Sequence, residues 1–359
     1  MEYTPRQQSI VARRQTGTVF SCMRDAAHTE RTKGRQAKAH LKDQLFELID
    51  STDYYQGSSQ DEDTELLTNK LLRFRPRLIG AVGVYNYLSC RESTATDTQS
   101  LENFYLFWAL GSIQDDFIDV LPKYQPGEAS EHRRQCDVAQ AIFGDERRFY
   151  RAAYHQLREN IHASDAGEPE QAYMIDKVTG WYQFLINQEA AVLETPLTDM
   201  SFESCKTYRE DQNLQAGSAL VALLNGPNCL DPAHQEIEPI VAEFSFLTQI
   251  MDDIADTAED LTAERPSYAV GALLDHPSEI AAVRAYIAAH PNAKLTPHRF
   301  STLAPESLRI ITETFNGYLG HLYEQTGSKT LTSVASGLFR YYPYIRNVLY
   351  CINPKYANF

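Results

Sequence analysis

A large all-α domain is the fold class this sequence predicts, and three observations predict it. Apolar residues recur at helical spacing in stretch after stretch, strand-like alternating runs are few and short, and Pro/Gly/Asn-rich turns separate the helical stretches. The chain has 359 residues, 43% of them hydrophobic, which is enough to bury a sizeable core.

The elements follow in order. The first 35 residues are expected to form a mobile N-terminal extension, basic in character. "HLKDQLFELIDSTDYY" (40–55) opens the helical series, followed by "LLTNKLLRFRPRLIGAVGVYNYL" (66–88) and "TQSLENFYLFWALGSIQDDFIDVL" (98–121). Further helices are expected over 133–161, 170–194, 202–225, 234–262, 278–290, 304–323 and 328–350. The turns are "YQPGEAS", "SDAGEPE", "NGPNCLDP", "DHPSE" and "HPNAKLTPH". No linker is long or distinct enough to demand a boundary, so residues 36–359 read as one domain of about ten helices.

The formal charge of −15 argues against affinity for nucleic acid or anionic membrane surfaces. No run of about 18 apolar residues suggests a transmembrane span, and the first residues lack an apolar signal core. The six cysteines are scattered without a CxxC pair and read as reduced thiols of a cytoplasmic protein. No phosphate-binding Gly-rich loop, GxSxG turn or HExxH array supports a nucleotide-enzyme or hydrolase reading.

The chemistry concentrates in two acidic clusters. "GSIQDDFIDV" (111–120) carries Asp115, Asp116 and Asp119 at the end of an apolar run. "FSFLTQIMDDIADTAEDL" (244–261) repeats the DDxxD spacing with Asp252, Asp253 and Asp256, and adds Asp260. Helical periodicity places Asp115 with Asp119 on one stripe and Asp252, Asp256 and Asp260 on another. Like charges so spaced repel, and burying them is costly without compensation. Two facing stripes that share divalent cations would remove that cost. Carboxylate oxygens suit Mg²⁺, which bridges protein carboxylates to substrate phosphates, so a diphosphate substrate is expected.

These motifs resemble the class I isoprenoid synthases, the superfamily of trans-prenyl diphosphate synthases and class I terpene synthases. The resemblance runs over roughly residues 66–275. "LLRFRPRLIGAV" (71–82) is similar to a Lys-Arg-x-Arg-Pro segment, with Arg73, Arg75 and Pro76 matching and Leu72 at the lysine position. "NLQAGSALVALLNG" (213–226) resembles the Lys-Thr-Gly helix but holds Gln215 where the lysine is expected. Gln249 stands three residues ahead of Asp252, as in the family's second motif. "DLTAERPSYAV" (260–270) looks like the following turn, where prenyl synthases carry Gly-Lys.

The resemblance implies an antiparallel helical bundle, the isoprenoid synthase fold, around a central apolar cavity. Both aspartate motifs would sit at its mouth and hold three Mg²⁺ around an allylic isoprenoid diphosphate. The ligands would be Asp115, Asp116, Asp119, Asp252, Asp253, Asp256 and Asp260, with ionisation to an allylic cation as the chemistry. A homodimer is common in the superfamily.

The lysine replacements at Leu72 and Gln215 deplete the second diphosphate site that an elongating enzyme needs. The preferred expectation is therefore a terpene synthase, which binds one allylic diphosphate and cyclises or rearranges the cation. A trans-prenyl diphosphate synthase making a short product is the alternative, and a non-catalytic helical regulatory subunit is a third. Arg209, 43 residues before Asp252, matches the diphosphate-sensing arginine of terpene synthases. Arg73, Gln249, Arg340 and Arg346 are the other expected diphosphate contacts. Aromatic faces stabilise cations, so Phe107, Trp108, Trp181, Phe184, Phe246, Tyr341 and Tyr342 are candidates to line the cavity.

Overall fold

The structure, a computed structural model, describes residues 19–51, 82–88, 98–120, 148–232, 236–290, 295, 297–328 and 331–332. Among them every regular element is a helix and none is a strand. The elements are α1 (Val19–Thr29), a π-helical segment (Glu30–Gly34), α2 (Arg35–Ser51), helical residues 82–88, α3 (Thr98–Val120), α4 (Arg148–His162) and α5 (Glu168–Glu194). They continue with α6 (Phe202–Asn225), α7 (Glu238–Ala263), α8 (Tyr268–Leu274), α9 (Pro277–Ala289), α10 (Pro297–Leu303) and α11 (Pro305–Thr326). None of these is long and apolar enough to cross a membrane.

Local chemistry explains the boundaries. α11 begins with Pro305 in its first turn, where the missing N–H costs nothing, and ends at Gly327, whose φ of 58° lets its N–H turn back onto Tyr323 O. Between these ends Leu308, Ile311, Phe315, Leu319 and Leu322 form one buried stripe at helical spacing. α4 similarly buries Leu157 and Ile161, four residues apart, and exposes His155 and Glu159.

The molecule divides into two compact units. The first takes in residues 16–186 and 218–237. In it α3 packs on α2 and α4, and the π-helical segment packs on α1, α2 and α3. The π turn brings Gly34 close to Tyr105, and buried Glu30 pairs with Lys38 at 2.6 Å. Its core is aromatic: Phe107 and Trp181 meet tilted with ring centres 4.5 Å apart, Trp181 and Tyr182 likewise at 4.7 Å, and Tyr154 meets Tyr182 edge-on at 5.5 Å. A Cβ on Gly111 would lie 2.5 Å from the Trp181 ring, so the indole rests on bare α3 backbone one turn before Asp115.

The second unit takes in residues 187–217 and 238–359. Here α7 packs on α8, α9 and α11, and α8 packs on α9 and α11. Leu247, Ile250, Ile254, Tyr268, Leu273, Val283, Phe300 and Leu319 form its core.

Three helical stretches exceed the sequence expectation: Val19–Gly34, Tyr268–Leu274 and Pro297–Leu303. α1 lies inside the stretch read as an extension, yet Val19 and Ala26 are buried. α8 and α10 have seven residues each, too few to display a period. The parts of the expected helices over 52–81, 133–147 and 333–350 lie outside the described residues.

Candidate functional site

The second acidic motif occupies the C-terminal half of α7. Asp253, Thr257 and Asp260 are buried, while Asp252 and Asp256 are only half-buried. Positions i, i+4 and i+7 share a helix face, so the inward face carries Asp253 and Asp260 with Thr257 between them. The expected stripe of Asp252, Asp256 and Asp260 is corrected accordingly: burial separates Asp260 from the other two and joins it to Asp253.

The turn after α7 builds the site. Glu264 has a φ of 54°, the left-handed conformation that closes a helix, and Arg265 N–H bonds back to Asp260 O at 2.8 Å. The chain then reverses, and Ser267 caps α8 by accepting from Val270 N–H. This reversal sets Tyr268 N–H 2.7 Å from Asp253 Oδ2. The other oxygen, Oδ1, accepts from Gln249 Nε2 at 2.7 Å and pairs with Arg209 Nη2 at 3.2 Å. Arg209 reaches Gln212 through Nη1 at 2.9 Å and lies over the Tyr208 ring.

Electrostatics distinguishes the two buried acids. Burial pushes the Asp253 carboxyl above its ordinary value, and the charge of Asp252 adds to this, against the pull of Arg209, Gln249 and Tyr268 N–H. Burial pushes Asp260 well above the ordinary value, and the neighbouring Asp253 charge adds to this. Arg209 and a hydrogen bond from Ser267 oppose that rise. Asp260 Oδ2 is buried and has no hydrogen-bond partner among the described residues. Of the two carboxyls, Asp260 is the one that favours a proton.

A second set of contacts reaches the same place. Tyr268 and Tyr318 hydroxyls are 3.1 Å apart, and the Tyr318 hydroxyl donates to Glu210 Oε1. Glu210 also pairs with Lys206 at 3.3 Å, and Lys206 with Glu203 at 3.1 Å. Gly271 admits α6 at this point, since a Cβ there would lie 2.8 Å from Cys205 Cβ. Burial pushes the Cys205 thiol up to about 12, which makes it unreactive.

Of the expected site residues, the structure brings together Arg209, Gln249, Asp253 and Asp260. Asp115, Asp116 and Asp119 lie on α3 in the other unit, and their side chains are outside those described. Arg73, Arg340 and Arg346, with Tyr341 and Tyr342, also lie outside the described residues. Phe107 and Trp181 are buried against each other, and Phe246 packs on Tyr318 at 5.1 Å. Tyr268, Tyr318, Glu210 and Ser267 were not anticipated. Tyr318 stands 50 residues beyond Tyr268, and no local pattern connects them.

The expectation of three bound Mg²⁺ is overturned. Among the described residues no group of three or more His, Cys, Asp or Glu side chains is arranged to hold a metal ion. The physical reason is visible at Asp253, whose two oxygens already receive three donors from the chain itself. The site therefore assigns Asp253 to the chain's own arginine and amides.

No family model matches the sequence, and no curated protein or solved structure matches it either.

Proposed function

We propose that this chain is a cytoplasmic terpene synthase of the class I isoprenoid kind, with that superfamily's bundle and apolar cavity. It would take one allylic isoprenoid diphosphate, release diphosphate and let the carbocation cyclise or rearrange. The observation that carries the reading is Arg209, a guanidinium held against the second DDxxD motif in a largely buried setting. Its distance ahead of that motif is that of the diphosphate-sensing arginine in terpene synthases. The all-helical architecture also supports it, and the left-handed backbone at Glu264, where prenyl synthases carry a glycine, supports the resemblance to the superfamily as a whole.

In the reaction the allylic C–O bond breaks heterolytically and its electron pair leaves with the diphosphate. Arg209 is always charged and presents a fork of donors, so it stabilises the charge that grows on the leaving oxygens. Asp253 and Gln212 fix the orientation of the fork beforehand. Loss of a proton from the cation then gives an alkene. Gln215 stands on α6 where an elongating enzyme would offer a lysine, which favours a single diphosphate over two.

One observation favours a second reading, a non-catalytic helical subunit: Asp253 is satisfied by the chain's own donors. A product assay separates these readings. The protein is incubated with geranyl, farnesyl or geranylgeranyl diphosphate, with and without isopentenyl diphosphate, in buffer containing divalent cations. A hydrocarbon or alcohol product unaffected by isopentenyl diphosphate is expected. A longer prenyl diphosphate would establish an elongating enzyme, and no turnover of any substrate would favour the subunit reading.

A further inference from the structure

The hydrogen bonds around Arg209 close into a circuit that runs through four helices. Arg209 and Glu210 are neighbours on α6. Arg209 is tied to Asp253 on α7, and Asp253 is tied to Tyr268 N–H on α8. The Tyr268 hydroxyl meets Tyr318 on α11, and the Tyr318 hydroxyl returns to Glu210 on α6. Tyr268 and Tyr318 are 0% and 6% exposed, and the contact between their hydroxyls is buried.

The geometry has a mechanical consequence. Successive helix positions point about 100° apart. A helix tied through one side chain can still roll about its axis, whereas ties at two adjacent positions to two different helices stop it rolling. Tyr268 makes the two ties one object, because it grips Asp253 with its backbone and Tyr318 with its hydroxyl. Ring contacts of Tyr318 with Phe246 at 5.1 Å and with Tyr268 at 6.4 Å hold the hydroxyls in place.

We infer that Tyr318 and Tyr268 are positioning residues for Arg209, acting through Glu210 and Asp253 to fix the direction in which the guanidinium is presented. That this direction serves an allylic diphosphate rests on the function proposed above; the positioning itself does not. The Tyr318 hydroxyl is the sensitive member, since removing it opens the circuit on both sides while leaving the ring packing intact.

The test is Tyr318→Phe with two readouts. The first is the Arg209 Nε–Hε cross-peak in a proton–nitrogen correlation spectrum, assigned by its loss in Arg209→Lys. The cross-peak is expected to shift or split in Tyr318→Phe and to stay in place in Tyr286→Phe, a control in the same unit outside the circuit. An unmoved cross-peak in Tyr318→Phe overturns the inference. The second readout is steady-state diphosphate release, where kcat is expected to fall about tenfold with KM changed less than about twofold. A moved cross-peak with unchanged kcat sinks the catalytic meaning of the positioning. If the unmodified protein turns over no allylic diphosphate, the proposed function fails, and the cross-peak still decides the positioning.

Discussion

Glu279 and Asp260 are buried carboxylates of the same unit, and their surroundings are opposite. Glu279 on α9 accepts Glu306 N–H and Ser307 N–H at 2.9 Å each and the Ser307 hydroxyl at 2.6 Å, at the N-terminus of α11. Burial works to raise its pKa, but these hydrogen bonds and the nearby His276 outweigh it and hold the carboxyl below its ordinary value. Asp260 has an oxygen with no partner among the described residues and a like-charged neighbour in Asp253. Burial alone therefore does not set a carboxyl's protonation. The supply of donors does: it holds Glu279 ionised as the cap of α11, while Asp260 favours a proton.

The largest effect is expected of Arg209→Met, which leaves Asp253 buried without its cation. It should cost about 3–5 kcal/mol in urea unfolding. Next comes Glu279→Gln, which weakens the cap of α11 by about 1–3 kcal/mol. Because the folded pKa of Glu279 is lowered, its stabilisation is present above the ordinary value of 4.5 and is lost as pH falls through the lowered value. An unfolding series from pH 7 to pH 3 should show that loss in the unmodified protein and a flatter acid limb in the variant.

Asp260→Asn should act in the other direction. A raised folded pKa contributes stability that is fully present below the ordinary value of 3.8 and is lost as pH rises through the raised one. The variant should therefore be more stable than the parent at pH 8, read by its urea midpoint, with the gain vanishing toward pH 4. Glu264→Gly relieves the left-handed backbone at the end of α7 and should add about 0.5–1 kcal/mol, read by the same unfolding midpoint. The smallest effect concerns the metal. Mg²⁺ alone should leave Tm unchanged to within about 1 °C, and a saturable rise would restore a ligand set at the acidic motifs.

How much of this was legible in the sequence follows from the range of each interaction. Long helices such as α7 and α11 announce themselves through apolar period and turn residues, which are local. α8 does not, because its seven residues are almost all buried and show no polar face. Within the site, spacing located the α7 acids and Arg209 but gave the wrong grouping of the acids. Which carboxylate turns inward depends on the Glu264 turn and on Tyr268, features that an aspartate pattern does not encode. Tyr318 and Glu279 act on residues 50 and 28 positions away through tertiary packing, and no sequence window contains both ends.

The central claim is that Arg209, held beside the second acidic motif, serves the departure of a diphosphate. The most direct test is inorganic diphosphate release from farnesyl and geranylgeranyl diphosphate by the unmodified protein and by Arg209→Lys, side by side. Release by the unmodified protein is expected, with kcat/KM lower by about tenfold or more in the variant, since lysine keeps the charge but not the fork. Equal release by both, or release by neither, would contradict it.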